Sequence, residues 1–233
     1  MSEPSKKEVV REMFDDISTR YDFLNHFLSF GIDRAWRRKL VSMLKERKPF
    51  KVLDVATGTG DLAIAIASLK PQKIVGIDIS EKMLEIGRQK LTDKGLNLVV
   101  TLQQADAEKI PFSDNSFDAI TVAFGVRNYE NLELGLGEMS RVLRKGGVML
   151  ILEFSHPESF PMKQLYAFYS RNIIPRLGRM ISGNSKAYTY LPESVAAFPS
   201  GKSFLEILNK LGLKNTRQVN LSMGIASIYL AEK

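Results

Sequence analysis

Between Lys51 and Ser155 short runs rich in Val and Ile alternate with amphipathic stretches, and that alternation is the pattern of βα units feeding a parallel sheet. The runs Lys51–Val55, Lys73–Ile79, Leu98–Gln103, Ala119–Ala123 and Val148–Phe154 read as strands. They are nearly continuously apolar, as strands covered by helices on both faces must be. The intervening stretches near Leu62–Leu69, Glu81–Lys90 and Leu132–Leu143 read as helices. Ser80 stands where an N-cap belongs, and Gly146-Gly147 is expected to stop a helix ending in Arg144-Lys145, whose charges suit the negative end of its dipole. The expected fold class is α/β, a doubly wound, mainly parallel, seven-stranded sheet.

The flanks complete that sheet. Val10, Met13, Phe14 and Ile17 share one face of an N-terminal helix, and a second helix is expected near Trp36–Leu44; both can lie over the open end of the sheet. After Ser155 the sequence is punctuated by proline and rich in aromatics: Phe160, Tyr166, Phe168, Tyr169, Tyr188, Tyr190 and Phe198. A helix near Phe204–Leu211 follows, and Leu213–Val219 and Ile225–Ala231 are expected to pair antiparallel and close the sheet edge. The 233 residues are read as one domain: a helical lid (1–50), a ligand-binding core (51–155), a cap (156–200) and a C-terminal helix with a hairpin (201–233).

Composition narrows the chemistry. The chain has no cysteine, which excludes disulfides, thiolate metal sites and a cysteine nucleophile. His26 and His156 stand without a partner at useful spacing, so both read as solvated and no metal-ligand cluster is expected. No apolar run is long enough to span a bilayer and the N-terminus is polar, so a cytoplasmic location is expected. The formal charge of +7 suits an anionic partner, nucleic acid or an anionic lipid surface, besides simple solubility.

The most specific local signal is Leu53-Asp54-Val55-Ala56-Thr57-Gly58-Thr59-Gly60-Asp61, a strand running into a glycine loop and then a helix. In an open α/β sheet, ligands bind at the carboxyl ends of the strands, where this loop sits. Gly58 and Gly60 let backbone approach a ligand closely. A pyrophosphate site normally carries G-x-G-x-x-G, but the third glycine is absent and Asp54 and Asp61 flank the loop. Carboxylates oppose a pyrophosphate and suit a ligand with an α-ammonium and a sulfonium, so the loop favours S-adenosylmethionine. Asp54, Gly58, Thr59 and Gly60 are therefore cofactor-binding candidates. Asp78, about twenty residues beyond the glycines, is placed to accept ribose hydroxyls. Asp106, followed by Ala107, can accept from an adenine amino group while the next backbone N–H donates to the ring.

With these elements in order, residues 50–155 resemble class I S-adenosylmethionine-dependent methyltransferases. Three further motifs resemble the ubiquinone/menaquinone biosynthesis C-methyltransferases, the UbiE/MenG type. They are Tyr21-Asp22-Phe23-Leu24-Asn25 with Ser29, Gly31 and Trp36-Arg37; Phe124-Gly125-Val126-Arg127-Asn128; and Arg141–Gly147 leading to Leu152-Glu153-Phe154-Ser155. The sequence departs from that family's usual residues at Leu24 (Met), Asp33 (His) and Arg144-Lys145 (Lys-Pro).

The resemblance implies methyl transfer to a ring carbon of a prenylated quinol, demethylmenaquinol or a 2-methoxy-6-polyprenyl-benzoquinol. Arg127 and Asn128 are the catalytic candidates, Arg127 as a stabiliser of phenolate charge because its guanidinium does not deprotonate. Tyr21, Asp22 and Asn25 are candidates for closing the lid. A nucleic-acid substrate is not expected. Carbon methylation of pyrimidines normally needs a cysteine, and Phe124–Asn128 replaces the Asn-Pro-Pro-aromatic element of adenine amino-methylating enzymes. The stretch Met162–Ile181 mixes apolar side chains with Arg171, Arg176 and Arg179, a composition suited to peripheral contact with an anionic membrane; packing on the sheet or a homodimer contact is the competing reading.

Overall fold

The computed structural model describes residues 4–157, 159–168, 172 and 185–233. Helices α1 (Lys6–Leu28) and α2 (Ile32–Lys45) precede β1 (Lys51–Val55), α3 (Asp61–Ala67), β2 (Lys73–Asp78), α4 (Glu81–Asp93), β3 (Val100–Gln104) and β4 (Phe117–Ala123). Then come α5 (Leu132–Val142), β5 (Leu143–Phe154), α6 (Met162–Phe168), α7 (Ser185–Ala197), α8 (Lys202–Lys210), β6 (Lys214–Leu221) and β7 (Ala226–Glu232).

The seven strands form one sheet in the order β3-β2-β1-β4-β5-β7-β6. β1 to β5 are parallel, and β7 inserts antiparallel between β5 and β6. The two-residue period of a strand splits its apolar side chains between two cores. Val52, Ile74, Val100, Leu150 and Ile228 pack with Trp36, Leu40, Leu62, Ile66 and Leu84 on one face. Leu53, Val55, Val75, Ile77, Ile151 and Tyr229 pack with Leu136, Met139, Phe204 and Leu208 on the other. The strand order reverses between β1 and β4, and that switch point at the carboxyl edge is where such a sheet opens a ligand crevice.

Three expectations change in detail. β3 begins at Val100, and Leu98 is 91% exposed, because the residues before Val100 form a turn outside the sheet. α5 ends at Val142, and Leu143 is already extended (φ −72°, ψ 132°), so Arg144 and Lys145 lie in β5 rather than at a helix terminus. Arg144 meets Asp118 of β4 at 2.8 Å, and a Cβ at Gly147 would stand 2.8 Å from the Asp118 carbonyl. Close strand approach, and not a helix stop, is what that glycine serves. Finally, α1 runs unbroken to Leu28, so Tyr21, Asp22 and Asn25 sit on its last turns. Its start is fixed by a capping box between Ser5 and Glu8.

Candidate active site

α1 lies across the carboxyl edge of the sheet and is tied to it at three levels. Lys7 reaches the Asp106 carboxylate at 2.6 Å, Ser80 donates to Asp15 at 2.5 Å, and Thr59 donates to Asp22 at 2.6 Å. Positions 7, 15 and 22 are two helical turns apart, so they line one face of α1. Lys90 of α4 adds a contact to Asp22 at 2.5 Å, and Lys6 donates to the Tyr129 carbonyl at 2.6 Å.

Beneath this helix are two cavities that share Phe14, Tyr21 and Phe124. The smaller, about 90 Å³, is lined by Gly58, Asp78, Ile79, Met83, Asp106, Ala107 and Asn128 among others. It brings together the ends of β1, β2 and β3 with the loop after β4. Asp78 accepts from the backbone N–H of Gly58 at 2.8 Å and of Ser80 at 2.9 Å, one on each carboxylate oxygen. Burial pushes its pKa up, opposed by those two N–H donors. Each oxygen retains acceptor capacity toward the cavity. Gly58 has φ +55°, and a hypothetical Cβ would meet only the Tyr21 ring, at an ordinary 4.0 Å, so its constraint is conformational.

The other loop candidates lie elsewhere. Asp54 is 1% exposed; it accepts from Thr57 at 2.6 Å and Thr121 at 2.7 Å, tying the loop to β4 from below rather than lining either cavity. Burial raises its pKa to about 6, against the pull of the two hydroxyls. Thr59 spends its hydroxyl on Asp22 and accepts from Lys90 at 3.0 Å. Gly60, at φ +79°, caps α3 and faces Leu102 and Gly87. These three shape the loop. Asp106 and Ala107 do line the cavity, with the Asp106 carboxylate facing Lys7.

The larger cavity, about 300 Å³, is mostly apolar and runs between α1, α2 and the cap helices. An aromatic cluster lies along it: Phe124 and Phe154 stand 4.6 Å apart between ring centroids, and Trp36 meets both at about 6 Å. Two arginines flank that cluster, Arg37 5.9 Å over Phe124 and Arg127 5.4 Å over Phe154. Each has a buried carboxylate partner. Arg127 pairs with Glu153 at 2.8 Å, and Arg37 pairs with Asp33. Asp33 also accepts from Ser29 at 2.7 Å and meets His26 Nδ1 at 2.8 Å. Although burial pushes the Asp33 pKa up, Ser29 and Arg37 together hold it below the usual carboxylate value.

Arg127 is the group with chemistry to spare. Its Nη1 serves Glu153 and the Phe124 carbonyl, while its Nε is buried with no hydrogen-bond partner, the only such side-chain atom among the described residues. An orphaned buried donor is costly, and the residue that carries it lines the larger cavity. Asn128 lines the smaller cavity, yet its Oδ1 accepts from the Tyr190 hydroxyl of the larger one at 3.1 Å, so it bridges the two.

Glu153 and Tyr190 join the site although the sequence singled out neither, and His26 departs from its expected solvated position while His156 keeps it. A buried arginine requires a counter-charge, and Glu153 is the sole acid in β5, so that pairing had a signal. Tyr190 had none beyond being aromatic. His26 is half-buried against Asp33, whereas His156 is exposed, as expected, with its Nε2 3.1 Å from the Val195 carbonyl. Among the described residues no group of acids and histidines is arranged to hold a metal ion.

A family model described as the ubiE/COQ5 methyltransferase family matches residues 2–233. The demethylmenaquinone methyltransferase of Bacteroides fragilis is 47% identical over 229 residues, covering 98% of this chain and 94% of that protein. The ubiquinone/menaquinone biosynthesis C-methyltransferase UbiE of Geotalea daltonii is 48% identical over 230 residues, covering 98% and 97%. Among solved structures, a SAM-dependent methyltransferase of Thermotoga maritima, described as a possible histamine N-methyltransferase, aligns with a TM-score of 0.67 at 20% identity. That alignment covers 95% of this chain and 99% of that one, and the likeness is one of fold.

Proposed function

We propose, from the premise that this chain belongs to the ubiE/COQ5 methyltransferase family, that it methylates a ring carbon of a prenylated quinol, converting demethylmenaquinol to menaquinol. The observation that carries this reading is the larger cavity. It is apolar, lined by aromatic rings, adjacent to the glycine-loop cavity with which it shares Phe14, Tyr21 and Phe124, and lined by Arg127, whose buried Nε has no partner.

The residues fit S-adenosylmethionine. Asp78 engages only backbone N–H donors, keeps acceptor capacity for ribose hydroxyls and lines the smaller cavity. Asp106 and Ala107 stand beside it for the base. Bound there, the cofactor would supply an electrophilic methyl group on sulfur, which the ring carbon takes up as it loses its hydrogen as a proton. A quinol ring carbon is nucleophilic enough for that transfer when the adjacent hydroxyl has given up its proton. Arg127 stabilises the resulting oxyanion through its guanidinium, in a site whose low polarity strengthens the interaction. Glu153 fixes the orientation of that guanidinium. Phe124, Phe154 and Trp36 hold the flat ring, and α1 with α7 keeps water out.

Removal of the protein from its host tests the acceptor directly. Mass spectrometry of the cell's quinones is expected to show demethylmenaquinone accumulating. Accumulation of a 2-methoxy-6-polyprenyl-benzoquinone alone would move the acceptor to the ubiquinone series, and an unchanged quinone profile would refute both.

A prenylated acceptor resides in lipid, and no helix among the described residues is long and apolar enough to cross a membrane. The apolar rim of the larger cavity, with Phe30 78% and Leu165 58% exposed, is our proposed contact with the bilayer surface. Arg171, Arg176 and Arg179, the basic residues of Met162–Ile181, lie outside the described residues. Co-sedimentation with anionic vesicles at low salt and release at high salt is the expected result. Equal failure to bind anionic and neutral vesicles would exclude the contact.

A further inference from the structure

We infer that Arg37, held in place by Asp33, is the anchor for the α-carboxylate of the cofactor's amino-acid tail, outside the nucleoside pocket and on the α2 flank of the larger cavity. The inference rests on the S-adenosylmethionine reading above and extends it to a part of the molecule which Asp78 and Asp106 do not reach.

The sheet order supplies the direction. Asp106 and Ala107 follow β3, Asp78 ends β2, Gly58 follows β1, and Phe124 to Asn128 follow β4, in the spatial series β3-β2-β1-β4. A nucleoside with its base at Asp106 and its ribose at Asp78 must send its 5′ substituent toward β1. Beyond the glycine loop there are two ways on. One leads past Phe124 to Arg127, Phe154 and Tyr190, the wall assigned to the acceptor. The other leads to the flank where α2 packs on α3, and the cation lining the larger cavity on that side is Arg37.

The chemistry at Arg37 suits a carboxylate. Its side chain is 11% exposed, lines the larger cavity and sits over the Phe124 ring that separates the two cavities. Among the described residues its guanidinium makes one hydrogen bond, from Nη1 to Asp33, with Asp61 4.0 Å from the same nitrogen. Nη2 and Nε remain as parallel donors, the fork that a carboxylate accepts bidentately. Asp61 opens α3 directly after Gly60, which places Arg37 against the loop itself. Asp33 orients the guanidinium, and its own orientation is fixed by Ser29 and His26. A single ion pair of that depth is costly to bury unless further hydrogen bonds complete it; an incoming carboxylate does so.

The test compares two nucleosides by calorimetry: S-adenosylhomocysteine, which carries the tail, and 5′-methylthioadenosine, which lacks it. Wild type is expected to bind the first more tightly. Arg37→Met is expected to weaken S-adenosylhomocysteine by about ten- to a hundredfold while leaving methylthioadenosine unchanged. Arg37→Lys, which keeps charge but loses the fork, is expected to fall between. If Arg37→Met does not fold because Asp33 is left unpaired, Arg37→Met combined with Asp33→Asn removes both charges and carries the same comparison. An unchanged affinity ratio, or equal loss of both nucleosides in a folded variant, overturns the inference. Failure of wild type to bind either nucleoside would instead overturn the cofactor reading beneath it.

Discussion

Arg127→Ala is expected to reduce turnover by about a hundred- to a thousandfold, the usual cost of removing a donor that stabilises a developing oxyanion, while affinity for S-adenosylhomocysteine stays near that of wild type. The asymmetry follows from position. Arg127 lines the larger cavity and does not line the smaller one. The substitution also strands Glu153, which is 0% exposed and meets Arg127 through both its Nη1 and its backbone N–H. Leaving a buried charge unpaired costs about 3–5 kcal/mol. Because burial already pushes the Glu153 carboxyl up, the variant relieves part of that cost by taking a proton. Arg127→Met with Glu153→Gln removes both charges, so a low rate in that stable pair reports on chemistry rather than folding. Parallel loss of turnover and cofactor binding in either variant would assign Arg127 to the cofactor site or the scaffold.

Asp78→Ala is expected to weaken S-adenosylmethionine by about ten- to a hundredfold, since a charged acceptor for hydroxyl donors contributes about 1.5–3 kcal/mol. The loss has two sources: the cavity-facing acceptor and the Gly58 N–H, which Asp78 holds at 2.8 Å and which sets the loop. Asp78→Asn does not restore the site, because its amide NH₂ would face a backbone N–H at either Gly58 or Ser80. A pH dependence follows. The ionised carboxylate is the binding form, and burial raises its pKa above the usual aspartate value, so affinity declines on acidification earlier than for an exposed aspartate. Titration calorimetry showing unchanged affinity in a folded Asp78→Ala protein would remove Asp78 from the site.

Much of the architecture was legible in the sequence because a parallel sheet covered on both faces demands continuous apolar strands, and β1, β2, β4 and β5 are written that way. The boundaries that moved are those where local chemistry is ambiguous. Arg144 and Lys145 suit a helix end, yet Arg144 is drawn into β5 by Asp118 on the neighbouring strand, a contact 26 residues away in sequence that no local rule reports. The glycine loop, Asp78 and Asp106 followed from their places after β1, β2 and β3. What those residues touch did not follow. Asp54 and Thr59 share the loop with Gly58, but their side chains turn to Thr57, Thr121 and Asp22 instead of to the cavity. The lock between Lys7 and Asp106 joins the N-terminal helix to the loop after β3, 99 residues away, and only the folded chain brings them together.

The most direct measurement supplies purified protein with S-adenosylmethionine carrying a deuterated methyl group and a short-chain demethylmenaquinol under reducing conditions. The expected product is a menaquinol whose ring carbon bears the intact deuterated methyl, together with stoichiometric S-adenosylhomocysteine. Label on a quinol oxygen, or S-adenosylhomocysteine formed without a methylated ring, would contradict it.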